Sequence, residues 1–199
     1  MEDIRSIYEK EKTKIQSRLK DFLSLNEEQM FNEFMFCLLT PQSNAQRCWQ
    51  AIEEISKLGT LDIENVTRIL STKTRFHHTK ARRIILAREY WDGIKDKLSN
   101  PRVTELRNFI AESVKGYGFK EASHFLRNIG KSNNSIAILD RHIIRNLNDM
   151  KLIDEAKIKS RKRYLEVEQT FLNYAREVKI PADELDLLWW SRENGEVFK

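Results

Sequence analysis

Cysteine is almost missing from this chain: of 199 residues only Cys37 and Cys48 carry a thiol. That excludes a disulfide scaffold and a cysteine-rich metal site, and leaves both as small core hydrophobes. Proline and glycine are scarce too, at three and six residues, and no low-complexity tract, internal repeat or linker-like stretch interrupts the chain. No apolar run approaches the roughly 20 residues that a membrane helix needs, and the start, MEDIRSIYEKEK, is charged rather than signal-like. The expectation is a cytoplasmic protein without a targeting signal or a membrane partner, long enough for one domain or two intimate lobes.

Charge of one sign is in modest excess, +5 overall, but it is clustered. KTRFHHTKARRIILAR (73–88) holds six Lys/Arg and no acid, and KIKSRKR (157–163) holds five in seven positions. A solvated helix face accounts for either run alone. Two in one small protein favour a polyanion, because neutralising phosphates drives non-specific nucleic-acid binding.

The periodicity is helical nearly throughout, and no alternating run argues for a sheet. MFNEFMFCLL (30–39) is apolar too densely for a surface helix and reads as a buried one. AQRCWQAIEEISKL (45–58) puts Cys48, Trp49, Ile52, Ile55 and Leu58 on one face and stops at Gly59. KARRIILAREYWDGI (80–94) is amphipathic with a basic polar side. Pro101 opens the helix PRVTELRNFIAESV, Asp140 is the N-cap of DRHIIRNLNDM, and Pro181 opens PADELDLLWW. KRYLEVEQTFLNYAREV (162–178) aligns Tyr164, Val167, Phe171 and Tyr174. The fold class is all-α.

Two of the scarce glycines fall in VKGYGFKEASHFLRN (114–128). Gly116 and Gly118 permit positive φ and leave the backbone uncovered. Successive N–H groups there, beside the next helix's N-terminus, suit an anion, and Tyr117 between them packs between the helices. This is a helix-hairpin-helix pattern that reads DNA backbone and not sequence; an ordinary capped turn explains the glycines equally well. Lys120 follows in the first turn of the outgoing helix, and twenty residues on Asp140 ends the apolar run of IAILD.

In this order and spacing, these residues resemble the signature of the helix-hairpin-helix-GPD superfamily of DNA glycosylases. The resemblance implies two helical lobes within one domain, 1–199, with the active site in the cleft between them: a hairpin-containing lobe at 30–138, and a second at 1–29 plus 139–199. It makes Lys120 the nucleophile that attacks the sugar C1′ and Asp140 the group that assists glycosidic cleavage. A neutral amine is needed, so the ordinary lysine pKa of ~10.4 must be depressed, and a carboxylate suits the positive charge that develops on the sugar. LLTPQSNAQR (38–47) corresponds to the loop that plugs the gap left by a flipped nucleotide, with Gln42 as the inserted side chain and Arg47 facing the orphaned base. RFHHTKARRI corresponds to the segment entering a basic helix, and His142 to a phosphate contact.

Without cysteines beyond Cys48 there is no iron–sulfur cluster, and the resemblance implies no other cofactor, with room for a structural monovalent cation at the hairpin. Across the whole chain, including the ending WWSRENGEVFK, the sequence is most similar to the compact second type of 8-oxoguanine DNA glycosylase/AP lyase. That type stops on a lysine closing the base pocket, here Lys199. Its terminal carboxylate accepts the N7 hydrogen that 8-oxoguanine carries and guanine lacks. Trp190 and Phe76 are candidate aromatic walls for the flipped base, and His124, one turn beyond Lys120, a further lining residue. The implied partner is double-stranded DNA containing 8-oxoguanine or abasic sites, bound by a nucleoid-associated monomer. Three alternatives stay open: the same fold acting on another damaged or mispaired base, a non-catalytic helix-hairpin-helix DNA-binding protein, and an RNA- or protein-binding helical scaffold.

Overall fold

The computed structural model describes residues 3–199, and among them ten α-helices and no strand. The helices group into two compact units, named here by chain position: a central unit, Leu25–Phe125, and a terminal unit, Met1–Ser24 with Leu126–Lys199. The boundary within 119–128 differs from the lobe edge at 138 read from sequence, because 126–138 packs with the terminal unit.

The central unit comprises α2 (Glu27–Leu39), α3 (Ala45–Ile55), α4 (Ile63–Ser71), α5 (His77–Lys95), α6 (Val103–Ser113) and the start of α7 (Phe119–Asn128). A capping box starts α2: Asn26 Oδ1 accepts Gln29 N–H, and Gln29 Oε1 accepts Asn26 N–H, both at 2.9 Å. From Phe34 to Leu39 every side chain is buried, the outcome that the dense apolar run implied. Aromatic rings gather on it, with Phe34 stacked on Tyr117 at 5.1 Å and edge-on to Phe125 at 5.5 Å. Trp91 of α5 closes the cluster, 5.7 Å from both Phe31 and Phe34.

Two helix ends differ from the sequence reading. Helix α3 stops at Ile55, so Leu58 lies beyond it and is half-buried. Helix α6 begins at Val103 and not Pro101: Asn100 Oδ1 takes the Arg102 N–H at 2.9 Å, and that turn precedes the first helical residue.

The terminal unit comprises α1 (Ile4–Leu23), α8 (Arg141–Asp149), α9 (Arg161–Glu177) and α10 (Ala182–Asn194). Helix α10 is its core, buried from Glu184 through Trp189, with α1, α8 and α9 laid against it. Its acids are matched: Asp186 pairs with Arg127 at 3.2 Å, and Glu184 accepts the Tyr8 hydroxyl. No described helix is long and apolar enough to cross a membrane.

Tyr117 joins the 114–118 turn to α2, its hydroxyl donating to Phe34 O at 2.8 Å in a buried site. Tyr117→Phe keeps the ring packing and leaves Phe34 O its helix partner, but removes the hydroxyl bond that ties the turn to α2. The expected loss is about 0.5–1.5 kcal/mol, measured by urea unfolding; a loss near zero contradicts this role.

Candidate active site

The hairpin runs from Val114, where α6 ends, to Phe119, where α7 begins. Tyr117 N–H closes the turn on Val114 O at 3.0 Å, and Gly116 sits at φ 107°. That backbone conformation calls for glycine; a Cβ there would also fall 2.6 Å from Cδ and Nε of Arg83, whose side chain would have to move aside. Gly118 caps α7, its N–H donating to Glu121 Oε2 at 3.1 Å. A carboxylate is thus already the anion on one N–H of the expected phosphate nest. The Tyr117 ring is 7% exposed and belongs to the core, so only its backbone serves the hairpin face.

Lys120 stands in the first turn of α7, three-quarters buried, with Nζ 3.2 Å from Glu121 Oε1. Glu121 therefore bridges the hairpin N–H and the candidate nucleophile. Cys48 lies near enough to feel the charges of both Lys80 and Lys120, which oppose the burial that pushes its thiol up to about 11. His124 follows on α7, buried and edge-on to Phe36 with centroids 5.6 Å apart, inside the central unit's core.

The loop after α2 carries Gln42, exposed and at φ 56°. Arg47, also exposed, lies in the first turn of α3, its N–H donated to the cap Asn44 at 3.0 Å. Phe76 is 55% exposed, at φ 58° before α5, with the Arg75 guanidinium 5.5 Å from its ring. It is a presented side chain and not the wall of an enclosed pocket. Beneath both, Lys80 is 2% exposed and donates to Leu39 O, Pro41 O and Ser43 Oγ at 2.6, 2.9 and 2.7 Å. The basic run 73–88 is therefore no uniform polyanion face: Lys80 is internal, Lys73 pairs with Glu54, and Arg88 covers Phe31. The second run is partly neutralised as well, with Lys159 on Glu155 and Arg163 on Asp154 and Glu166.

In the terminal unit Asp140 is the N-cap of α8, as the sequence implied. Its Oδ1 accepts His142 N–H at 2.8 Å and Ile143 N–H at 2.9 Å. The stretch that delivers it, Ile136–Leu139, is buried. Ala137 is pinned from both sides, its N–H to Glu168 Oε1 at 2.8 Å and its carbonyl from the Tyr164 hydroxyl at 2.7 Å. His142 faces Glu193, with Nδ1 3.6 Å from Oε2, and Glu193 also binds Arg145, which holds its carboxyl below the usual range. Gly195, at φ 83°, ends α10 and turns the tail back. Trp190 is half-buried with Phe198 at 6.1 Å, while Lys199 is 7% exposed with Nζ 5.8 Å from the Phe22 ring. Trp189 is core, edge-on to Phe171.

Within the central unit the structure thus gathers the hairpin and Lys120, and separately Gln42 with Phe76; within the terminal unit it gathers Asp140 with His142, and sets Trp190 and Lys199 each against the Phe198 ring, at 6.1 and 5.9 Å. Sequence reasoning missed Glu121 and Glu168, took Lys80 as one cation of a basic run, and took Tyr164 only as part of a helix face. Only Glu121 left a signal, an acid three residues after a capping glycine. Chemically, the parts supply an amine beside an anion-seeking turn, a carboxylate at a helix start and exposed side chains on strained backbone. Among the described residues no group of three or more His, Cys, Asp or Glu is placed to hold a metal ion.

Residues 15–180 match the family described as 8-oxoguanine DNA glycosylase. The chain is 41% identical to the 8-oxoguanine DNA glycosylase/AP lyase of Fusobacterium nucleatum, over 99% of this chain and 96% of that one. It is 38% identical to the protein of the same name from Methanocaldococcus jannaschii, over 90% and 87%. The crystal structure of the M. jannaschii glycosylase bound to a 15mer DNA containing 8-oxoguanine superposes with a TM-score of 0.88 at 34% identity, covering 98% of this chain and 99% of that one. The 8-oxoguanine DNA glycosylase of Thermotoga maritima gives 0.89 at 32% identity, covering 98% and 96%.

Burial pushes the Lys80 ammonium down to about 8, against the opposing influence of Cys48. From there up to the ~10.4 of a free lysine, the unfolded chain keeps a proton that the folded chain has released. Stability contributed through Lys80 therefore rises with pH across that window, by at most ~1.4 kcal/mol per unit. The gap in unfolding free energy between wild type and Lys80→Met is expected to move in favour of wild type from about pH 8 to about pH 10. Urea unfolding at each pH measures it, and a gap flat in pH contradicts the assignment.

Proposed function

The chain belongs to the 8-oxoguanine DNA glycosylase family, and from that membership we propose the roles by which its residues excise 8-oxoguanine and cleave the strand. The activity is that of an 8-oxoguanine DNA glycosylase/AP lyase acting on DNA. The observation that carries the proposed mechanism is the placement of Lys120 in the first turn of α7, directly behind the Gly116–Gly118 hairpin.

The hairpin backbone, with His142 on α8, takes phosphates of a DNA duplex, and Gln42 and Arg47 enter where the lesion nucleotide has been flipped out. Phe76 adds an apolar contact from its exposed turn. Lys120 attacks C1′ through the lone pair of Nζ. The bond from C1′ to the base breaks and its electron pair leaves with the base, which takes up a proton given up by Nζ. The C1′–O4′ bond then breaks, O4′ takes a proton from water to become a hydroxyl, and the opened sugar is held as an iminium on Nζ. Loss of a C2′ proton then expels the 3′ phosphate, which is the lyase step. Asp140 stabilises the positive charge on the sugar. Its Oδ1 is committed to two helix N–H groups, and Oδ2 makes no hydrogen bond among the described residues. Trp190 stacks on the flipped base and Lys199 closes the pocket over it; His124, held in the core of the central unit against Phe36, supports α7 behind Lys120.

No redox cofactor enters this chemistry. A monovalent cation at the hairpin would take backbone carbonyls: those of Val114 and Gly118 each already accept one N–H and keep a second lone pair. The protein acts as a monomer in the cytoplasm, on the nucleoid.

Borohydride is expected to trap wild-type protein covalently on 8-oxoguanine duplex and to trap none of Lys120→Gln; normal trapping by that variant refutes the nucleophile. Asp140→Asn keeps an equally good N-cap while removing the charge. Excision is expected to slow by ~10²–10³-fold with an unchanged melting temperature, and an unchanged single-turnover rate refutes the electrostatic role.

Deletion of Lys199 is expected to lower excision of 8-oxoguanine far more than strand cleavage at a preformed abasic site. Equal effects on the two substrates count against base recognition there.

A further inference from the structure

Lys80 has no part in the chemistry above, yet it is held inside the central unit by three hydrogen bonds. Its ammonium is buried, and each of its three protons has an acceptor within five residues of one another: Leu39 O, Pro41 O and Ser43 Oγ. Between the last two stands Gln42, exposed and in the left-handed region at φ 56°. A non-glycine residue persists there only where its surroundings over-determine it. The lysine does so by gripping the chain on both sides of Gln42.

The grip reaches further. Ser43 Oγ also accepts the Arg75 N–H at 2.9 Å, so the same hydroxyl fixes the turn that presents Phe76, itself at φ 58°. Two exposed side chains on strained backbone are thus tied to one buried ammonium. The charged and titratable groups facing it are Cys48, which favours its charge, and Arg83, Lys120 and Arg75, which oppose it. Apolar packing would stabilise a plain core at least as well as a desolvated cation does; what the cation supplies is a defined loop geometry.

The geometry points to Lys80 as a positioning residue for lesion recognition: without touching DNA, its ammonium holds Gln42 and the Arg75–Phe76 turn in the one arrangement that enters the duplex. This rests on the reading of Gln42 as the inserted side chain.

A double-mutant cycle between Gln42→Ala and Lys80→Met tests it, read by single-turnover excision of 8-oxoguanine and by binding to undamaged duplex. Misplacing the loop by about 1 Å is expected to slow excision roughly ten- to hundred-fold, with binding to undamaged duplex within about twofold of wild type. The double variant is expected to lose less than the product of the two single losses, because Gln42 is useless once unheld. Ser43→Ala removes one acceptor of the same clamp and is expected to behave alike where Lys80→Met folds poorly. Losses that multiply, or excision unaffected by Lys80→Met and Ser43→Ala while Gln42→Ala slows it, overturn this inference alone. Excision unaffected by Gln42→Ala overturns the reading of Gln42 and this inference with it, leaving the borohydride test of Lys120 untouched.

Discussion

A helix whose last turns are buried must find donors for its last carbonyls inside the protein, and α2, buried from Glu33 to Leu39, is such a helix. Leu39 O, near its end, receives Cys48 Sγ at 3.3 Å and Lys80 Nζ at 2.6 Å. Further back, Phe34 O, already paired within the helix, accepts the Tyr117 hydroxyl as a second donor. The first bond brings the loop of Gln42 under control, and the second brings the hairpin that precedes Lys120. Both functional elements of the central unit therefore hang from the carbonyls of one helix.

The terminal unit meets the same requirement with side chains of α9. The apolar stretch before Asp140 is no helix, so its backbone groups need partners when buried. Glu168 and Tyr164 provide them at Ala137. Asp140 then emerges at the start of α8 with one oxygen committed and one open. Position here is set by hydrogen bonds to the main chain, and not by the packing of Asp140 itself.

What the sequence made legible followed from local rules. The density of MFNEFMFCLL, the period of α9 and the cap at Asp140 each rest on a few adjacent residues, and each is found in the fold. Helix α1 escaped notice because it buries only Tyr8, Ile15 and Phe22, seven residues apart in an otherwise polar helix. Lys80 was hidden differently. Set among six cations with no acid between them, it read as surface, and only the distant carbonyls of 39–43 give it an interior. The pins on Ala137 come from about thirty residues away, a reach beyond any local pattern.

Glu121 gives the hairpin one further property. A single N–H, that of Gly118, is held by a carboxylate that also touches Lys120. Any outside anion that takes this N–H does so by exchange, evicting one negative group to seat another. The strength of such binding is then a difference between two anions and not the full attraction of one. A site of this kind discriminates by competition, letting go of whatever grips less well than its own side chain.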